Sequence, residues 1–179
     1  MPLLSGSRRA RRFFDGLAPL YDWINARLYR AEWLEKVRAA MGGRVLDVGV
    51  GTGHTTGHLA DAVGVDLSMQ MLRRARYRGH LIRANFVRPP FRDASFDTVV
   101  LAGSFYYLAD PQQGADTASR LLRSGGRVVI LSPATWALTP FVPIYSRDEY
   151  EGFFARAGLR LASYERLNWA ACLVTATKG

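Results

Sequence analysis

Val45-Leu46-Asp47-Val48-Gly49-Val50-Gly51-Thr52-Gly53, followed after a short crossover by Ala62-Val63-Gly64-Val65-Asp66, is the stretch that decides the fold. Val45, Leu46 and Val48 form a short apolar run of the kind that makes a strand buried on both faces. Gly49, Gly51 and Gly53 then let the chain turn sharply and lie close to a ligand, because no Cβ stands in the way. Thr52 to Ala60 is expected to be a helix just long enough to cross back. Ala62 to Val65 makes the next parallel strand. Asp66 sits at its carboxyl end, where open parallel sheets bind ligands.

The loop also discriminates between ligands. The dinucleotide fingerprint G-x-G-x-x-G/A asks for Gly or Ala at the position held by His54, whereas here the glycines run G-x-G-x-G. Asp47, just before the first glycine, would repel a pyrophosphate. It suits a ligand with a cationic end, such as the ammonium and sulfonium of S-adenosylmethionine. Asp66 lies 19 residues beyond Asp47. A carboxylate there can accept hydrogen bonds from both hydroxyls of an adenosine ribose.

Three further blocks follow in order: Gly64-Val65-Asp66-Leu67-Ser68 with Met71-Leu72, then Phe91-Arg92-Asp93-Ala94-Ser95-Phe96-Asp97, then Leu121-Leu122-Arg123-Ser124-Gly125-Gly126-Arg127. With these blocks the chain resembles the class I S-adenosylmethionine-dependent methyltransferases from about Arg44 to Leu131. The resemblance implies a Rossmann-like α/β fold. Its sheet has seven mostly parallel strands, helices on both faces and a terminal antiparallel hairpin. It implies S-adenosylmethionine as cofactor and S-adenosylhomocysteine as product. Carried onto this sequence, the cofactor contacts fall at Asp47, Gly49, Gly51, Thr52, Gly53, His54, Asp66, Leu67 and Met71. Backbone carbonyls near Ala102 and Gly103 would hold the methionine ammonium. At the end of the third strand the family has an Asp-Ala pair against the adenine; here the pair is Asn85-Phe86. Asn85 can still accept through its carbonyl oxygen, without charge assistance, and Phe86 could lie against the purine face.

The segment before the first strand carries a second resemblance. Phe13-Phe14-Asp15-Gly16-Leu17-Ala18-Pro19-Leu20-Tyr21-Asp22-Trp23-Ile24-Asn25 looks like the entry segment of the ubiquinone/menaquinone C-methyltransferase branch. There it folds over the cofactor as a lid, which would put Tyr21 near the methionine part. Packing of the same aromatics on the sheet explains the pattern equally well. A helix over Glu32 to Met41, ended by Gly42-Gly43, leads into the first strand.

Beyond Asp66, a helix is expected from the Ser68 N-cap to about Arg78, with Met69 and Leu72 toward the sheet and Met71 near the adenine edge. His80–Asn85 and Phe96–Ala102 read as strands. Arg88-Pro89-Pro90-Phe91 precedes the second of these and reads as a structural turn. Asp110-Pro111 opens a helix to near Arg123, stopped by Gly125-Gly126 before a strand over Arg127–Leu131. Ser132 to Tyr145 is rich in proline and aromatics and is either an acceptor wall or packing for the lid. Ser146 and Glu149 form a capping box for a helix to about Ala157. Leu159–Leu167 and Ala171–Thr177 complete the hairpin. One domain is expected over residues 1–179: a helical lid to 41, a cofactor half over 42–131 and an acceptor half over 132–179.

Composition narrows the classes. Hydrophobic residues make up 49% of 179, and no apolar run reaches the ~18–20 residues of a membrane span. Cys172 is the single cysteine, which excludes an internal disulfide. A cytoplasmic protein is expected, as a monomer or homodimer. The net charge is +9, and every basic residue but Lys36 and Lys178 is arginine, clustered at Arg8–Arg12 and Arg73–Arg78. Solvated helix faces, an anionic surface or nucleic acid would each explain that. No metal is expected, since His54 and His58 lack a third ligand and Gly103-Ser104-Phe105-Tyr106 carries no acid. Tyr21, Tyr107 and His54 are the catalytic candidates. The expected activity is methyl transfer to a small lipophilic acceptor by in-line displacement. The alternatives are an RNA or protein methyltransferase and a non-catalytic S-adenosylmethionine-binding protein.

Overall fold

The computed structural model describes residues 30–179. Helix α1 (Ala31–Ala39) leads into β1 (Val45–Val48), β2 (Val63–Asp66), α2 (Met69–Arg74), β3 (His80–Arg83) and β4 (Phe96–Ala102). Then come α3 (Pro111–Leu121), β5 (Leu122–Pro133), α4 (Arg147–Arg156), β6 (Leu159–Arg166) and β7 (Ala171–Lys178). Single 3-10 turns at Phe105–Tyr107 and Trp136–Leu138 follow β4 and β5. The strands make one sheet in the order β3-β2-β1-β4-β5-β7-β6. β3, β2, β1, β4 and β5 pair in parallel, and β7 runs antiparallel to both β5 and β6. This is the seven-stranded Rossmann-like sheet with a terminal hairpin. Strand order reverses between β1 and β4, so the glycine loop emerges at the switch point where such sheets take ligands.

Alternation along each central strand builds two cores. Leu46, Val99, Leu101, Ile130 and Val174 face α3 and α4, where Ala118, Leu121, Tyr150 and Phe154 meet them. Val45, Val100, Val129, Leu131 and Leu173 face α1, which contributes Trp33 and Val37. Each such side chain adds roughly 1.5–3 kcal/mol by leaving water. At the amino end of the sheet, Asp97 accepts from Arg44 N at 2.7 Å and from Arg123 Nη1 at 2.9 Å. The Arg44 amide and then the Arg123 guanidinium hold its carboxyl below the ordinary range. That clamp ties the entry of β1 to the entry of β4.

Helix starts follow their caps. Ser68 accepts from Met71 N at α2, Asp110 from the amides of Gln112 and Gln113 at α3, and Ser146 and Glu149 close a reciprocal capping box at α4. Three expectations need correction. No helix forms over Thr52–Ala60: the crossover is a run of turns held by Gly53 N to Val50 O, Gly57 N to Gly53 O and Leu59 N to Thr56 O. Three β-branched threonines and two glycines have little helical preference, and the segment is too short to recover the nucleation cost. Second, α2 stops at Arg74, because Arg76 N and Arg78 N donate instead to Thr52 O and Gly57 O of the crossover. Third, Gly125-Gly126 does not stop α3. The helix ends at Leu121, Leu122 already pairs with Phe96, and the glycines sit inside β5 where the register shifts, with Gly125 at φ 75°.

Candidate active site

The loop after β1 requires glycine. Gly49, Gly51 and Gly53 have φ of 69°, 55° and 90°, in the left-handed region that strains other residues. A Cβ on Gly49 would also stand 2.6 Å from the Cβ of Ser104. The loop is sewn to β2 by Gly49 N and Val50 N, which donate to Val65 O at 2.8 and 3.1 Å. Asp66 completes the seam. Its Oδ2 accepts from Gly51 N at 3.0 Å and its Oδ1 from Ser68 N at 2.8 Å. These two amides fix the carboxylate at the carboxyl end of β2.

The opposite wall is the end of β4. Gly103 has φ 80° and donates to Leu131 O at 2.9 Å. Ser104 Oγ donates to Val48 O, bridging the two strand ends. Phe105 and Tyr106 are buried, Tyr107 is half-buried, and the two tyrosine rings lie 4.4 Å apart. Phe105 continues inward to Tyr150 at 5.5 Å and Tyr145 at 5.9 Å between ring centroids.

Asp47 lies beneath the loop, 2% exposed. Thr56 Oγ1 donates to its Oδ2 at 2.7 Å, and Tyr77 Oη is 2.9 Å from the same threonine oxygen. Burial pushes the Asp47 carboxyl up to about 7; the Thr56 bond opposes this and the charge of Asp66 adds to it. Among the described residues no cation pairs with Asp47. An unpaired buried carboxylate is unfavourable, and a cationic ligand relieves it.

The structure brings Asp47, Gly49, Gly51, Thr52, Gly53, Asp66, Leu67, Ala102 and Gly103 to the carboxyl ends of three adjacent strands. His54 is exposed, and its carbonyl accepts from Arg38 Nη2 at 2.7 Å, with Thr55 O held by Arg38 Nε at 3.1 Å. Asn85 is exposed and its Oδ1 accepts from Val87 N at 3.3 Å. Phe86, by contrast, is packed in the larger core cluster. The expected phase of α2 is reversed: Met71 is 1% exposed and Met69 37%. The Ser68 cap on Met71 N turns that residue inward. Tyr21 and the lid lie outside the described residues. Thr56 and Tyr77 were missed, while Ser104 was expected only as part of the stretch after β4 that borders the site. Thr56 sits among other polar crossover residues, Thr52, His54, Thr55 and His58, so the sequence did not single it out.

A glycine cradle without Cβ atoms, a carboxylate at the end of β2 and a buried acid with no cation among the described residues together fit an adenosyl sulfonium ligand. Comparison with known proteins agrees. The methyltransferase domain family matches residues 46–130. The ubiquinone/menaquinone biosynthesis C-methyltransferase of Geotalea uraniireducens is 32% identical over 166 residues, 80% of this chain and 71% of that protein. Its counterpart in Geobacter sulfurreducens is 34% identical over 167 residues, 80% of this chain and 65% of that protein. The solved structure of a possible histamine N-methyltransferase from Thermotoga maritima shares the fold, with TM-score 0.79 at 19% identity over 94% of this chain and 99% of that one. The chain belongs to the class I S-adenosylmethionine-dependent methyltransferases and, within them, to the ubiquinone/menaquinone C-methyltransferase family. It is an enzyme of methyl transfer, and S-adenosylmethionine is its cofactor.

Among the described residues, no helix is long and apolar enough to cross a membrane. No group of three or more His, Cys, Asp or Glu there could hold a metal ion.

Proposed function

We propose that this enzyme methylates a ring carbon of a small, lipophilic, quinol-type acceptor in the cytoplasm. The named relatives act in ubiquinone and menaquinone biosynthesis, and the wall beside the site is aromatic, from Phe105 to Tyr107. The observation that carries the cofactor side is the pair of acids around the glycine loop, Asp47 beneath it and Asp66 at its rim.

In this reading Asp66 accepts from the ribose hydroxyls and Asn85 borders the adenine. The carbonyls of Ala102 and Gly103 accept from the methionine ammonium, and Asp47 supplies negative charge under the cationic end. Bound S-adenosylmethionine supplies a methyl group already activated by a positively charged sulfur. The chain's remaining task is alignment, which removes an entropic barrier. Tyr107, at the end of β4, holds the acceptor ring against that line, and Tyr21 closes over it from the segment before Ala31. The chain then works as one domain, with residues 1–41 as lid, 42–131 as cofactor half and 132–179 as acceptor half.

The test has two stages. Calorimetry should show S-adenosylhomocysteine binding to the full chain. Incubation with methyl-labelled cofactor and a demethylated naphthoquinol should then move label into the organic phase. Label found in RNA or protein instead would replace the acceptor, and binding without any transfer would make the chain a sensor.

A further inference from the structure

Beyond the acids that face the cofactor, the structure shows what stands behind one of them. The crossover from β1 to β2 has no helix to hold it. It is braced from behind by an extended strap, residues 75–78, that follows α2: Arg76 N donates to Thr52 O at 3.1 Å and Arg78 N to Gly57 O at 2.9 Å. The strap fits so closely that a Cβ on Gly57 would lie 2.3 Å from Arg76 O, and one on Gly53 would lie 3.2 Å from the Tyr77 ring. This places the Tyr77 hydroxyl 2.9 Å from Thr56 Oγ1, itself 2.7 Å from Asp47 Oδ2. The direction of the chain follows from proton count. Ionised Asp47 only accepts, so the single Thr56 proton goes to Asp47 and Tyr77 must donate to Thr56. Burial raises the Tyr77 phenol further above its ordinary value, so it keeps that proton.

We propose that Tyr77 is a positioning residue for cofactor binding: through the Thr56 hydroxyl it holds the Asp47 carboxylate in place and stabilises its charged form under the glycine loop. The inference rests on the reading that Asp47 attracts the cofactor's cationic end. Hydrogen bonds to an ionised acceptor are strengthened when the donor is itself polarised by another donor. Asp66 from β2 works against that charged form, and no described cation helps it. The other ionisable groups on the surrounding elements are Arg38 on α1, His54, His58 and Asp61 on the crossover, and Arg76 and Arg78 on the strap. Arg38 is engaged with the carbonyls of His54 and Thr55, and the rest are exposed. Among the described residues, that leaves the two-hydroxyl chain as the local support for the carboxylate.

The experiment is calorimetric binding of S-adenosylhomocysteine to the full chain from pH 5.5 to 8.5, for wild type, Tyr77→Phe, Thr56→Val and Thr56→Ser. Wild-type affinity should rise with pH and level off once Asp47 is ionised. Tyr77→Phe keeps the ring and removes the donor, so the midpoint of that rise should move upward. A move of about one pH unit weakens binding at neutral pH about fivefold and leaves it nearly unchanged at pH 8.5. Thr56→Val should move the midpoint further, and Thr56→Ser should restore it. A Tyr77→Phe midpoint equal to wild type overturns the proposal, and so does a weakening equal at every pH, which marks packing alone. Absence of binding by wild type would count against the cofactor reading instead.

Discussion

Asp66 holds two backbone amides, Gly51 N from the glycine loop and Ser68 N from the cap of α2. Asp66→Asn keeps one acceptor oxygen but loses charge assistance, which is worth ~1.5–3 kcal/mol in a hydrogen bond to a charged group. Cofactor affinity should therefore fall about tenfold or more, measured by calorimetry, with a smaller loss of stability because one of the two backbone amides loses its acceptor. Asp47 differs, because its own burial is unfavourable. Its carboxyl is raised to about 7. Between the ordinary carboxylate value and that point the folded chain keeps a proton that the unfolded chain releases, so stability falls as pH rises through the window. Asp47→Asn removes this penalty and can keep the Thr56 bond through its amide oxygen. Without cofactor, the variant should be more stable than wild type at pH 8, by up to about 4 kcal/mol, and not at pH 4. Denaturant titrations at the two pH values check this, and the same variant should bind cofactor more weakly. Higher apo stability combined with weaker binding in this variant is the pattern expected of a residue kept for a ligand at the expense of stability.

The crossover and its strap are one unit. Neither forms regular structure alone, and each supplies the other's backbone partners through Arg76 and Arg78. Gly57→Ala would place a Cβ 2.3 Å from Arg76 O and 2.4 Å from Gly53 O. One of the two backbones must move, so we expect a loss of roughly 2 kcal/mol or more in urea unfolding, together with weaker cofactor binding. The four strands at the centre and every capped helix start were legible in the sequence, because Ser68, Asp110 and Ser146 act on amides two or three residues away. The end of α4 was legible too, at Arg156 just before the left-handed Gly158, but the ends of α2 and α3 were not. α2 stops where the strap finds better partners in the crossover, and α3 stops where Leu122 meets Phe96, 26 residues earlier in the chain. Those competitions involve distant segments, so no local pattern announces them.

The two cores on either side of the sheet carry most of the stability, and exposure predicts where substitutions matter. Phe154 is fully buried beneath Tyr150, whereas Trp136 is 82% exposed on the loop after β5. Phe154→Ala should lose ~3–5 kcal/mol and Trp136→Ser no more than ~0.5 kcal/mol, as read from urea unfolding. The arginines at positions 73, 74, 76 and 78 all have exposed side chains, and the last two also contribute the strap's backbone bonds. Period and punctuation along the chain were enough for the central strands, the glycine loop and the positions of both acids, and the family resemblance implied the sheet they form, because apolar alternation, left-handed glycines and strand ends are properties of neighbouring residues. Folding in three dimensions was needed to show that Phe86 and Met71 turn inward, that Ser104 closes against Gly49, and that Tyr77 stands behind Thr56 and Asp47. Those relations depend on which surfaces meet after the sheet closes, and van der Waals contact and hydrogen bonding act only across the few ångströms that such closure creates.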